Sequence, residues 1–487
     1  MASASQIDLD KEREDLVKQN ALLDDIHFDR PTRFTDSLLD CCEISWLRPN
    51  IMTKDPYVYA FDTTKETRLI IPQADPAFDW FMIPLANMCL YPNLVYNILS
   101  ATEDFSKTYG GMFKIRFHDS GKWIEIAIDD RLPHHSCKPP DWPLYLVASS
   151  NGYWLPLIVK AYAKLHGSYE KLVNGTLYDA FGEFTSGVTE TFNLEELPPR
   201  FHISLKKYYD SACLMNAKYV YRKDGEEHLS HWAIVEVGDK AHEVAKSKPT
   251  DVTVKLQYLF ATPEGKSISD YVHCSKLLKL LMKLNSRDND TEAYWMSFND
   301  FIHTFSTLHV CTLDWGIAVF VRQPTVKLNS YKFNGAWFNM SSVSHSLYDP
   351  GSIPFWSFPQ YKFELREPDT YRNDKRCEFL VALQQPGHLY SPSIALIGFF
   401  IYRLVKENET LPVGPKFFKM YRPVTHTIEH GRLILNRLKL AIGTYLIIPV
   451  AEPENHNDFF LTVITEAKYE VTTPTPTAGV LYPLEKD

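Results

Sequence analysis

No stretch of this chain is apolar for long enough to span a bilayer. The longest run, residues 394–402, is less than half the ~20 residues a membrane helix needs. Nor does any run of Lys and Arg alternate with aromatics, as a groove for single-stranded nucleic acid requires. With a net charge of −9, the chain is not a general nucleic-acid binder. Cysteines are few and scattered (Cys41, Cys42, Cys89, Cys137, Cys213, Cys274, Cys311 and Cys377), with no CxxC pair. Reduced thiols in the cytosol are therefore expected. The first residues, Met1-Ala-Ser-Ala-Ser-Gln-Ile-Asp, are polar and acidic, unlike a secretory signal. A D-x-[DN]-x-[DN]-G calcium loop is also missing. These absences predict a cytoplasmic protein without a transmembrane segment.

What is present is an ordinary globular composition, 45% hydrophobic and 23% charged over 487 residues, enough for two to four domains. Charged residues and Leu, Val and Ile at near-helical spacing predict a surface helix within residues 9–26. A Pro-punctuated extended segment follows at 46–56 and leads into a helix that starts near Asp79 and contains Pro84. Residues 109–133 alternate as a hairpin about Asp119-Ser-Gly121. Residues 153–172 are apolar on most faces and predict a buried helix. Phe184-Thr-Ser-Gly187-Val-Thr-Glu reads as a small-residue seam. Strands are expected at 232–237 and 252–258, and a helix at 277–284. From about Asn329 the texture becomes short strands between turns, at 361–366, 377–384, 394–404, 416–421, 443–450 and 459–465, which predicts a β-sandwich. Thr472-Thr-Pro-Thr-Pro-Thr reads as a loop.

Several stretches resemble the calpain family over nearly the whole chain: Ile124-Glu-Ile-Ala-Ile-Asp-Asp-Arg-Leu-Pro133, Lys160-Ala-Tyr-Ala-Lys-Leu-His-Gly-Ser-Tyr-Glu170, Glu183-Phe-Thr-Ser-Gly-Val-Thr-Glu190, Trp295-Met-Ser-Phe-Asn-Asp-Phe301, and in the sandwich Ile397-Gly-Phe-Phe-Ile-Tyr402 and Tyr445-Leu-Ile-Ile-Pro449. The resemblance implies an α+β fold, a papain-like two-lobe core followed by an antiparallel β-sandwich. It divides the chain into an N-terminal extension (1–45), a first lobe (46–187), a second lobe (188–325), the sandwich (326–470) and a tail (471–487). It implies no calmodulin-like domain.

The chemistry is carried over position by position. The family's thiol sits at a helix start, where the positive end of the helix favours thiolate, six residues after a Gln that donates to the developing oxyanion. Gln73 and Trp80 stand at the right spacing, but the residue before Trp80 is Asp79, a good N-cap and a poor nucleophile toward amides. The general-base position is His231, in Ser230-His231-Trp232-Ala233, with an ion pair to Asp79 as its bland role. Leu259 takes the place of the Asn that fixes the imidazole tautomer, and no Asn stands near it in sequence. Asp75 is the sole second acid beside Asp79, too little for a coupled aspartyl pair. Cys89, ten residues on, reads as a buried structural thiol. The family's calcium-ligand positions carry Ile70, Gly152, Thr291 and Ala293, so no metal and no other cofactor is expected.

His426-Thr-Ile-Glu429-His430 matches a zinc-protease pattern but lies among β-branched residues without the helix that pattern needs. His134-His135 reads as a loop. Glu367-Pro-Asp-Thr-Tyr-Arg-Asn-Asp-Lys375-Arg376 replaces the family's acidic loop with mixed charge, a solvated loop with only weak scope for phospholipid. The expectation is a pseudoprotease that binds other proteins, cytoskeletal or ciliary ones by analogy with other non-catalytic members. The alternative is a cytoplasmic calpain-like endopeptidase with an atypical active site. On this reading, Asp79→Cys alone should not revive activity.

Overall fold

A computed structural model describes residues 2–31, 43–58, 78–99, 105, 109–119, 121–135, 152–172, 175–223, 225–241, 246–260, 278, 293–337, 346–371, 375–386, 395–405, 411–452, 458–466 and 471–472. The chain forms two compact units, residues 1–242 with 247–323, and residues 324–487 with 243–246.

The first unit opens with helix α1 (Ala2–Lys18), longer toward the N-terminus than the periodicity predicted. Asn20 then takes a left-handed φ of 51° and turns the chain back onto the core. There the Leu23 N–H donates to the Gly110 carbonyl (2.8 Å) and the Asp25 N–H to Asp129 (2.9 Å). The expected extended stretch at 46–56 is instead a short strand, β1 (Ile44–Leu47), and a helical turn, α2 (Pro49–Met52). Pro49 at the first helical position has no N–H to lose, which favours the turn. Next come α3 (Asp79–Cys89) and α4 (Pro92–Ile98). α3 runs through Pro84 and is buried along nearly its whole length.

β2 (Met112–Asp119) and β3 (Lys122–Asp129) form the predicted hairpin, Asp119 pairing with Lys122 while Gly121 supplies a φ of 77°. β4 (Leu132–His135) pairs with β1, so His134 and His135 are strand residues and not a loop. Leu132-Pro-His-His carries no alternation of its own and is a strand because β1 offers it a partner.

α5 (Trp154–His166) ends where Gly167 turns left-handed at φ 103°. α6 (Leu177–Thr185), which periodicity missed, carries a Thr176 cap. Phe81 of α3, Phe117 of β2, Tyr162 of α5 and Phe184 of α6 meet as one aromatic cluster, with ring centroids 4.9 to 5.5 Å apart for the Phe81–Tyr162, Phe81–Phe184 and Phe117–Tyr162 pairs.

After the seam at Ser186, the chain enters a six-stranded antiparallel sheet. Its strands are β5 (Val188–Asn193), β6 (Leu214–Lys223), β7 (Glu226–Asp239), β8 (Val252–Tyr258), β9 (Ala293–Ser297) and β10 (Thr307–Thr312), in spatial order β5-β10-β6-β7-β8-β9. Helix α7 (Phe201–Asp210) precedes β6. Gly187 is obligatory at the seam, because a Cβ there would lie 2.5 Å from Cys311 Sγ. The helix expected at 277–284 lies outside the described residues.

The second unit is a sandwich of two antiparallel sheets. One has the order β11-β18-β13-β16, from β11 (Asn329–Ala336), β18 (Asp458–Thr465), β13 (Arg376–Gln384) and β16 (Leu433–Ala441). The other has the order β15-β14-β17-β12-β19, from β15 (Thr425–His430), β14 (Leu396–Leu404), β17 (Gly443–Ala451), β12 (Tyr361–Leu365) and β19 (Val471–Thr472). The inner faces bury Phe363, Phe379, Phe399, Ile401, Ile447 and Phe459. Residues expected as a strand at 416–421 form the helix Pro415–Met420. Gly414-Pro415 at its head presets the first turn, and Phe417 packs inward against Tyr402. β11, β15 and β16 were missed, because their faces are only half apolar. The tail beyond 472 lies outside the described residues. Among the described residues no helix is long and apolar enough to cross a membrane.

Candidate active site

The candidate site is assembled by the head of α3 and the middle of the six-stranded sheet. Phe78 is the N-cap of α3 and Asp79 its first residue, so Asp79 is not the cap its residue type predicted; among the described residues no side chain caps this helix end. Its position in the first turn is still where an anionic side chain complements the helix dipole. Trp80 anchors this end, donating its indole N–H to the Leu172 carbonyl (3.1 Å). Its ring lies so close to Gly175 that a Cβ there would fall 2.2 Å from the indole.

Asp79 is buried, 8% exposed, and its Oδ2 lies 3.5 Å from His231 Nε2. His231 stands on β7, 4% exposed. On the other side of the ring, Nδ1 lies 3.4 Å from Oδ1 of Asn216, a fully buried residue of β6. The Asn216 amide donates through Nδ2 to the Trp232 carbonyl (3.4 Å), which turns Oδ1 toward the imidazole. Leu259 does lie beside His231: its N–H donates to the His231 carbonyl (3.2 Å). Its buried side chain offers the ring nothing polar. The sequence expectation that the ring lacks a polar third group therefore needs correcting. The group comes from Asn216, one strand over.

Register explains the arrangement. Across β6 and β7, Asn216 faces Ala233 and Lys218 faces His231. Residues two apart share a face, so Asn216, Lys218 and His231 project together. β10 extends the row, placing His309 opposite both Asn216 and Thr191 of β5. Tyr178 of α6 donates its hydroxyl to Thr191 Oγ1 (2.6 Å), which lies 2.8 Å from His309 Nδ1. Burial, then the charges of His231 and Lys218, push the His309 imidazole down to about 4. His309 is thus neutral at neutral pH, its Nδ1 hydrogen-bonded with the Thr191 hydroxyl. A polar strip runs from Asp79 through His231, Asn216, His309 and Thr191 to Tyr178.

No described thiol joins it. Cys89 is buried at the far end of α3, about 15 Å along the axis from Asp79. Cys213 and Cys311 are buried against Thr312 and Thr185. Burial pushes the Cys311 thiol up to about 12, against hydrogen bonds from Thr185 and Thr189. Gln73, Ile70, Asp75 and Thr291 lie outside the described residues. Of the other calcium-ligand positions, Gly152 forms an isolated bridge with Tyr57 and Ala293 opens β9 opposite Gln257. Among the described residues no three His, Cys, Asp or Glu side chains converge as a metal cluster. His426 and His430 sit on strand β15, where Glu429 takes the opposite face. His426 stacks on Phe400 (5.0 Å), and His430 Nε2 lies 3.2 Å from the Tyr348 hydroxyl. The zinc-protease pattern is a strand coincidence. Of the mixed-charge loop, residues 372–374 lie outside the described residues.

Residues 33–312 match the family model described as calpain family cysteine protease, and residues 334–464 match calpain large subunit, domain III. The chain belongs to the calpain family. Relatives include Calpain-B of Drosophila melanogaster, 29% identical over 456 residues covering 87% of this chain and 47% of that protein. Calpain-8 of Rattus norvegicus is 29% identical and the Calpain-2 catalytic subunit of Bos taurus 27% identical, each covering 87% of this chain and 62% of the relative. The chain spans about half to three-fifths of the length of these relatives. The α+β fold read from the motifs, a calpain core followed by a β-sandwich, is borne out.

A second polar centre of this calpain-family core went unread in the sequence. Lys160 of α5 is fully buried and bonds the equally buried Asp129 carboxylate, together with the carbonyls of Asp129 (2.9 Å) and Arg131 (2.6 Å). Burial works against the Asp129 charge, but Lys160 and N–H groups of Asp25 and Arg131 outweigh it and hold the carboxyl below its usual range. The signal for this pair was the Asp-Asp inside an otherwise apolar motif. For Asn216 the signal was weaker, one amide in an apolar strand whose neighbour only the register reveals.

Proposed function

We propose that this chain is a calpain relative that does not cleave peptide bonds and acts by binding other proteins. The observation that carries this reading is the buried Asp79 carboxylate facing His231 at 3.5 Å, where the chemistry of a thiol protease needs sulfur. A carboxylate attacks amides poorly and leaves the imidazole with no thiol to deprotonate. The replaced positions Ile70, Gly152, Thr291 and Ala293 support an absence of calcium control. Protein partners are proposed to include cytoskeletal or ciliary ones, to be identified by pull-down from native extract. The mixed-charge segment 367–376 gives phospholipid binding little support, and liposome co-sedimentation over rising Ca²⁺ measures it.

The rival reading, an endopeptidase with an atypical site, draws on Asn216, which keeps His231 oriented as a base would need. Unfolded casein incubated with the purified chain, with and without Ca²⁺, separates the two. No turnover is expected in either arm. Cleavage that disappears in Asp79→Asn would overturn the non-catalytic reading.

A further inference from the structure

Several exposed cations of this chain stand beside an acid: Lys18 lies 3.3 Å from Glu14, Arg222 3.0 Å from Glu227 and Arg366 3.1 Å from Glu364. Residues 411–428 differ. They hold Lys416, Lys419 and Arg422 and no Asp or Glu, in a chain whose net charge is −9. All three cations are exposed, and none has an ion-pair partner among the described residues. Packing puts them on one surface. The helix Pro415–Met420 turns Phe417 inward onto Tyr402 (5.9 Å), and Tyr421 packs against Phe417 (4.8 Å). Lys416, Lys419 and Met420, at i, i+3 and i+4, share the opposite face. Arg422 stays close enough to the Tyr402 phenol to act on its charge, and the Val424 N–H donates to the Ile401 carbonyl (2.6 Å). Both therefore lie beside the strand on which Phe417 packs. Met420 is 71% exposed and Val424 50%. Two apolar side chains thus stand open to water within a group of unpaired cations.

We propose that this surface of the sandwich docks an acidic segment of a partner protein, whose carboxylates meet Lys416, Lys419 and Arg422 and whose apolar side chain packs on Met420 and Val424. The inference rests on the reading that this chain acts by binding proteins, and it names the chemistry of the partner. Charge complementarity sets the partner's sign, since a basic segment would meet like charge. Methionine is unbranched and polarizable, so Met420 adapts to apolar side chains of different shape. Phe417, Phe418 and Tyr421 fix the helix from beneath, Phe418 on Phe355 (5.5 Å), which lowers the ordering cost of binding. A lipid surface fits less well. Segments that dock on anionic bilayers carry about four to eight Lys and Arg and turn Trp, Phe or Leu outward. Here the cations are three, and the large aromatic rings of the segment face the sandwich.

The experiment measures fluorescence anisotropy of a labelled synthetic peptide of repeated Glu-Glu-Leu against the intact chain, with a Lys-Lys-Leu peptide and vesicles of phosphatidylcholine and phosphatidylserine as separate arms. The acidic peptide is expected to bind and the basic one not. Reversing all three cations (Lys416→Glu, Lys419→Glu, Arg422→Glu) should weaken binding roughly 10-fold or more, and Met420→Ser severalfold. Salt at about 1 M, where the Debye length is ~3 Å, should abolish it. All four side chains point to solvent, and circular dichroism checks that each variant keeps its fold. No binding of the acidic peptide, equal binding of both peptides, or affinity unchanged in the triple variant would overturn the proposal. Capture of the serine-lipid vesicles without the acidic peptide would overturn it as well and assign the surface to a bilayer. Pull-down from native extract separates this failure from that of the wider reading. Proteins recovered equally by the wild type and the triple variant sink this surface alone, whereas recovery of none by the wild type sinks the protein-binding reading itself.

Discussion

A carboxylate and a thiolate at the head of α3 share a sign of charge but not a reactivity, and Asp79 lets the two be exchanged in place. His231 at 3.5 Å and Asn216 behind it are already positioned, so the surroundings that activate a thiol survive its removal. Asp79→Cys is therefore expected to react with iodoacetamide at neutral pH faster than a free cysteine does, through partial thiolate formation beside the imidazole and the helix end. Asn216→Ala in that background should slow it severalfold. The native Cys311 thiol, pushed up to about 12 by burial, should stay unmodified in the folded chain. Peptide mapping after timed alkylation measures both. A rate equal to that of free cysteine would mean that Asn216 and His231 no longer act as a unit. The sequence reading, which placed the lost Asn at Leu259 and found no substitute, could not foresee this, because Asn216 reaches the ring across a strand pair and not along the chain.

Helix α5 is tied to strand β3 by an ion pair that nothing in its periodicity announced. The apolar stretch 153–172 does contain a buried helix, which Gly167 ends after His166, and it is that burial which makes Lys160 costly. A lysine without exposure is tolerated because Asp129 and two carbonyls take up its three protons. Lys160→Met removes the cation and leaves the carboxylate with Arg30 at 3.5 Å and the N–H groups of Asp25 and Arg131 to offset it. A loss of roughly 3–5 kcal/mol in urea unfolding of the core is expected. The double variant with Asp129→Leu should recover part of it, since two apolar groups leave no charge unpaired. A single variant as stable as the wild type would show that the pair contributes nothing. Elements whose sequence alternates, such as β2, β3 and β8, or runs apolar between turns, such as β13, were legible. Those dictated by a partner, such as β4 beside β1, or by a capped first turn, such as the helix Pro415–Met420, were not.

At the scale of the whole molecule, buried phenols of the sandwich tie its stability to alkaline pH. Burial pushes the Tyr361 phenol up to about 12, and Tyr402 also to about 12, with Arg422 opposing in the second case. An unfolded tyrosine ionises at 10.0, so between about 10 and about 12 the unfolded chain holds fewer protons than the folded one. Stability then falls as pH rises through that window, on the order of 2–3 kcal/mol for each such phenol. Tyr361→Phe should flatten the fall, as measured by thermal unfolding between pH 9 and pH 12; an unchanged slope would assign the alkaline loss elsewhere. What the chain's order of residues determined by itself was the family, the α+β fold and the carboxylate at position 79, because these are carried by local pattern and by identity at single positions. Only the tertiary structure decided that Asn216 faces the imidazole, that Lys160 meets Asp129 and that Asp79 Oδ1 lies buried without a hydrogen-bond partner among the described residues. Each of those depends on strand register or on helix packing, which join residues far apart in sequence and leave no periodic trace in either partner.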